Sequence, residues 1–129
     1  KIAVFRYLQL LRQRRQLQAQ WRTWMREQNL DALLLPATAL PAFRHGGSQE
    51  LTPSCVYTFW ANVLECAAGE APWTTVRSTE CRFDSAHTDR WTAAAAHTVA
   101  GAAGLPIGVQ VMAVRDEICV QALQALGSP

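Results

Sequence analysis

The stretch Gly104-Leu-Pro-Ile-Gly-Val-Gln-Val-Met-Ala113 decides the fold. Apolar side chains run through it without alternating with charges, turn residues bound it, and Arg115-Asp116-Glu117 follow. This predicts a strand buried on both faces. Such a strand needs sheet partners and a layer of helices on either side, which the flanking sequence has to supply.

The residues on either side provide candidates. Asp116 and Glu117 begin a last helix at its positive end, Cys119, Ala122, Leu123 and Leu126 form its apolar stripe, and Gly127 closes it. Upstream, Trp91 to Ala103 predicts an alanine-rich helix, weakened at Gly101 by about 1 kcal/mol relative to alanine. Leu30-Asp-Ala-Leu-Leu-Leu35 predicts a second apolar strand, closed by Pro36, which cannot donate to a ladder. Ala71 to Val76 predicts a third. Thr52-Pro53 places a capping hydroxyl before a proline, and the helix that follows carries Val56, Trp60, Val63, Leu64 and Ala67 to an end near Gly69. From Ala3 to about Gln28, Ala3, Tyr7, Leu10, Leu17, Trp21 and Trp24 recur at helical spacing, with Arg14 interrupting. The expected order is α-β-α-β-α-β-α: three strands and four helices in a layered α/β arrangement with no internal repeat.

Composition narrows the function classes. The chain of 129 residues is 50% hydrophobic and 17% charged, enough for the core of one domain over 1–129. Its formal charge of +2 is uneven, because Lys1, Arg6, Arg12, Arg14, Arg15, Arg22 and Arg26 face only Glu27 within the first 30 residues. The basic character therefore belongs to one helix, and no nucleic-acid surface is expected. Cys55, Cys66, Cys81 and Cys119 form no CxxC pair, so reduced thiols in a cytosol-facing compartment are expected. Lys1 opens in mid-helix without an initiator methionine or a cap, so the chain is expected to be a portion of a longer protein.

Few residues suggest chemistry. His45, His87 and His97 stand in no metal-ligand spacing, and no paired-carboxylate or phosphate-loop pattern occurs, so no metal or cofactor is expected. Asp84-Ser85-Ala86-His87 holds triad residue types, but triad members normally come from separate elements, and the run reads as a polar loop. The aromatics stand out more: Trp21, Trp24, Phe43, Phe59, Trp60, Trp73 and Trp91. Core packing accounts for most of them. Phe59, off its helix's main stripe, and Trp91, just past a polar loop, are the two placed to line a pocket.

Four blocks carry a resemblance. Leu30-Asp-Ala-Leu-Leu-Leu-Pro-Ala37, Tyr57-Thr-Phe-Trp-Ala-Asn62, Ala68-Gly69 with Pro72-Trp-Thr-Thr-Val76, and Gly104 to Val111 followed by Arg115-Asp-Glu-Ile-Cys119 resemble the C-terminal part of the amidase signature enzymes, most of all the fatty acid amide hydrolases. The resemblance implies part of a mixed α/β/α sheet and a serine hydrolase that cleaves amides of long-chain acids through a Ser-Ser-Lys triad. It also implies that the triad lies upstream of the matched region, so no catalytic residue is expected here. Gly46-Gly47-Ser48 lacks the glycines that would mark the nucleophile run and follows the wrong strand.

Carried over by position, Cys55, Phe59 and Trp91 match the wall of an acyl channel. The implied partners are the upstream remainder of the amidase domain, an apolar acyl amide and, for the full-length protein, a membrane surface or a second copy. The implied location is cytoplasmic or peripheral to a cytosol-facing membrane. Three positions depart from the family pattern: Glu70 and Trp73 stand where valines are expected and Ala67 where a proline is. The chain is also about two residues short between Ala113 and Arg115. Glu70 in particular is expected to strand a carboxylate in a buried strand. The alternative left open by the residues is a non-catalytic module whose basic first helix docks on a membrane or a partner.

Overall fold

A computed structural model describes residues 3–127. Its elements are α1 (Val4–Glu27), β1 (Ala32–Pro36), α2 (Val56–Leu64), β2 (Ala67–Thr75), α3 (Arg90–Val99), β3 (Pro106–Ala113) and α4 (Asp116–Gly127), with single 3-10 turns at Gly47–Gln49, Thr52–Cys55 and Ser78–Glu80. The α-β-α-β-α-β-α order and the layered α/β class hold. Lys1 lies outside the described residues.

The three strands form one sheet in the order β1-β3-β2, so the organising stretch is its central strand. Both pairings are antiparallel, with Ala113 opposite Ala32 on one side and Ala67 on the other. Alternation then sorts the faces. Ala32, Ala67, Val111 and Ala113 meet Cys119, Ala122, Leu123 and Leu126 of α4 in the core. Leu33, Leu35 and Met112 point to the opposite face, where Leu17, Trp21 and Trp24 of α1 and Trp60 and Leu64 of α2 approach across a gap of about 460 Å³.

Burial along β3 differs from the expectation. Gln110 to Ala113 are buried, but Pro106 and Ile107 are exposed, so only the second half of the strand is covered on both faces. The helices reach no further, and the first half borders a hollow of about 700 Å³ beneath the loop from Ala37 to Ala42. Leu34 of β1 is exposed for a similar reason, as it lies on an edge strand that α4 covers only in part.

Several boundaries also shift. α2 ends at Leu64, and Glu65 makes the turn in the left-handed conformation at φ 52°. Gly69 therefore caps nothing. It lies inside β2, where Leu123 of α4 presses onto the backbone and a Cβ would sit 2.3 Å from Leu123 Cδ1. Thr52 does not cap the helix through its hydroxyl, which donates back to the Ser48 and Gln49 carbonyls. α3 starts at Arg90 and stops at Val99, before Gly101 turns the chain at φ 84°.

Two of the departing positions are resolved by geometry. Glu70 is exposed and lies across Gly108 on the uncovered part of the sheet, so its carboxylate remains in water. The expectation of a buried carboxylate is corrected. Trp73 sits where the β2–β3 register slips between Pro72 and Thr74, and this bulge turns its ring outward to 64% exposure.

Candidate functional site: an apolar groove beside α3

The start of α3 is the most tightly specified local feature outside the core. Asp89 is the N-cap: its Oδ1 accepts from the Trp91 and Thr92 backbone N–H groups, both at 2.9 Å, while the Asp89 N–H donates to Thr92 Oγ1 at 3.1 Å. These bonds, the Thr92 backbone N–H first, hold the Asp89 carboxyl below the usual carboxylate range. The backbone of Trp91 is thus fixed by the cap. Its ring is held as well, with the Arg90 guanidinium carbon 4.4 Å from the ring centroid.

Trp91 forms one wall of a groove of about 270 Å³. Leu40, Leu51, Pro53, Phe83 and Ala95 supply most of the remaining apolar surface. Among the polar groups, the Ser54 hydroxyl is already engaged, donating to the Leu51 carbonyl at 2.7 Å. Thr92 Oγ1 is tied to the cap, donating to the Asp89 carbonyl at 2.9 Å. Glu50 is the ionisable residue of the wall. Such a surface can hold an apolar chain through its area, at about 25 cal/mol per Å² removed from water, with little hydrogen-bond selectivity.

The three residues expected to line a channel fall differently around this groove. Trp91 is on its wall. Cys55 adjoins it through Ser54, whose Oγ is 3.9 Å from Cys55 Sγ. Phe59, one turn further along α2, is 47% exposed and lies outside the lining. Leu40, Leu51 and Phe83 were not singled out in the sequence. They sit alone in loops between Pro36 and Arg90 and belong to no periodic stripe.

Arg14 is a second contributor that pattern reading passed over. Its Nε donates to the Val63 carbonyl at 3.1 Å, its Nη2 donates to the Asn62 carbonyl at 3.2 Å, and the same Nη2 pairs with Glu65. Gln18 adds a bond to the Val63 carbonyl at 2.9 Å. The arginine that interrupts the apolar stripe of α1 therefore caps the C-terminus of α2 and ties the two helices together. A polar residue at a core-facing spacing was its signal.

All four cysteines are free. Cys119 is buried and the other three are partly covered; burial pushes the Cys66 and Cys119 thiols up, away from the reactive thiolate. Among the described residues no group of three or more His, Cys, Asp or Glu side chains could hold a metal ion. Ser85 and His87 are linked only by the His87 backbone N–H donating to Ser85 Oγ, which is a turn.

With the fold and groove defined, comparison with known proteins gives the class. The amidase family model matches residues 3–117, and the chain belongs to that family. Its similarity extends to a particular member: it is 34% identical over 107 residues to fatty acid amide hydrolase 1 of Caenorhabditis elegans. That match covers 79% of this chain and 19% of the worm protein, so the chain spans about a fifth of its relative's length.

Proposed function

We propose that this chain is the C-terminal segment of a serine hydrolase that cleaves amides of long-chain acids, supplying strands, covering helices and part of the wall that holds the acyl chain. The observation that carries this reading is an apolar groove with a fixed tryptophan, opening on a chain similar to a fatty acid amide hydrolase. In this assignment Trp91 contacts the acyl chain, Cys55 backs the groove, and Phe59 extends the apolar wall along α2. The attacking serine, its partner serine and the lysine come from sequence upstream. Lys1 is the only lysine of this chain, so a Ser-Ser-Lys set built within it would have to use that residue.

The partners follow from the same reading: the rest of the amidase domain, which meets the open half of the sheet, and an apolar acyl amide. A cytosol-facing membrane surface or a second copy meets the first turns of α1. There Val4, Phe5, Tyr7 and Leu8 are exposed, with Arg6 and Arg12 among or just beyond them. No helix among the described residues is long and apolar enough to cross a membrane.

The test uses the protein encoded by the complete reading frame. Hydrolysis of a long-chain acyl amide is expected, with Trp91→Ala raising KM several-fold while kcat changes less. Turnover of short-chain amides only, with no effect of Trp91→Ala, would overturn the assignment.

A further inference from the structure

Helix α1 has two faces of different use. Arg14, Gln18 and Met25 mark the inward one: the first two donate to carbonyls of α2, and Met25 is 2% exposed. About a third of a turn further round, Arg12, Arg15, Arg22 and Arg26 follow one another at the three-, four- and seven-residue spacings that keep side chains on one side of a helix. Continued toward the N-terminus in steps of four, the same line reaches Leu8 and Val4. All four arginines are exposed, and so are Val4 and Leu8. Neither ion pair printed by the geometry of the described residues, Arg14 with Glu65 or Arg115 with Glu117, involves them. Glu27 is the one acidic residue of α1 and lies off their line. From Arg12 to Arg26 the row of charge is about 21 Å long, at 1.5 Å per residue.

We infer that this line of α1 is a docking face for an anionic lipid surface, with the four guanidinium groups on the headgroups and Val4 and Leu8 entering the apolar boundary at one end. The inference deepens the membrane contact proposed above and does not need the hydrolase assignment: it fixes the charge of the lipid and extends the contact from the first turns of α1 along its length. A row of arginines without acidic partners calls for an extended negative surface. Its apolar end calls for a phase that buries hydrocarbon beside that charge, which an acidic peptide lacks and a bilayer supplies. A second copy meeting this face through a two-fold axis would set arginine against arginine, so the dimer fits here worse than the membrane does. Each arginine held at such a surface contributes roughly five-fold in binding, and salt screens the contribution.

The experiment is co-sedimentation of the protein encoded by the complete reading frame with neutral phosphatidylcholine vesicles and with vesicles containing about 30% phosphatidylserine, at about 0.1 M and 0.5 M salt. At the lower salt the unmodified protein is expected to bind the anionic vesicles at least about fifty-fold more tightly, and at the higher salt most of that preference is lost. Arg12→Gln with Arg15→Gln is expected to weaken anionic binding by about 25-fold, two steps of roughly five, while Arg12→Lys with Arg15→Lys keeps most of it. Arg82→Gln with Arg115→Gln removes the same net charge away from this face and is expected to change binding less than about two-fold. An unchanged Tm verifies the fold of each variant, and the salt dependence of the unmodified protein stands independently of them. Equal binding to both vesicles, a preference that salt does not reduce, or equal losses in the two glutamine pairs would overturn the arginine face. Binding to soluble polyglutamate but not to vesicles would overturn the lipid assignment. In each of these cases the hydrolase reading stands, since amide hydrolysis is measured separately.

Discussion

The two halves of β3 are made of similar residues and live in different surroundings. Gln110 to Ala113 are closed in, with α4 packed on one face and α1 and α2 approaching the other, and Val111 and Ala113 have no exposed surface. Pro106 to Val109 run out beyond that cover, past Glu70 and the loop from Ala37 to Ala42. An apolar run therefore reports a need for burial without saying who satisfies it. The closed half is satisfied within this chain, while the open half presents apolar surface of the kind an active-site wall or a further layer of the domain would use.

The largest expected effect lies in the closed half. Met112→Ala empties a site that is 1% exposed and is expected to destabilise the chain by about 2 to 5 kcal/mol, whereas Ile107→Ala in the open half costs less than about 1 kcal/mol. Urea denaturation of the two variants measures the difference directly; equal losses would erase the distinction between the halves.

Next comes Arg14. Removing its side chain frees the Asn62 carbonyl and Glu65 and leaves the Val63 carbonyl only its bond from Gln18, but the side chain is 39% exposed and water can replace part of what is lost. Arg14→Ala is expected to cost about 1 kcal/mol, and Arg14→Lys to recover less than half of it, because an ammonium cannot reproduce the fork. Thermal unfolding of both variants checks this.

The cap of α3 gives a pH dependence of known sign. The Asp89 carboxyl is held low by the helix amides, so its contribution is complete above the ordinary carboxylate range and is lost as pH falls through its depressed value. Asp89→Ala is expected to lower Tm at pH 7 and to flatten the fall in stability below about pH 4. A slope as steep as that of the unmodified chain would place the acid sensitivity elsewhere.

The smallest effect is expected at Glu70. Because its carboxylate stands in water above Gly108, Glu70→Val should change the stability of this chain by no more than about 0.5 kcal/mol. A gain of several kcal/mol would mean that the carboxylate is buried after all.

The element order and the central strand were legible in the sequence because both rest on apolar periodicity, and the four family blocks gave the class. What could not be read depended on contacts between distant segments. Gly69 looks like a helix stop until Leu123 is seen against it, and Glu65, which does turn the chain, has no local signature. Trp91 could be picked out by its place after a polar loop. Leu40, Leu51 and Phe83 could not, since isolated apolar residues in loops have no period and only the packing of the 40–54 and 83–95 segments brings them together. Pairing Trp91 with Phe59 came first from their places off the helix stripe and after the polar loop and then from the resemblance, and in this structure Phe59 stands outside the groove that Trp91 lines.

As proposed, this polypeptide is a wall for chemistry performed by groups outside it. Incubating the purified 129-residue chain beside the product of the complete reading frame with a fluorophosphonate serine-hydrolase probe tests this most directly. Labelling of the complete protein and none of the isolated chain is expected. Stoichiometric labelling of the isolated chain would place a reactive serine within these residues and contradict it.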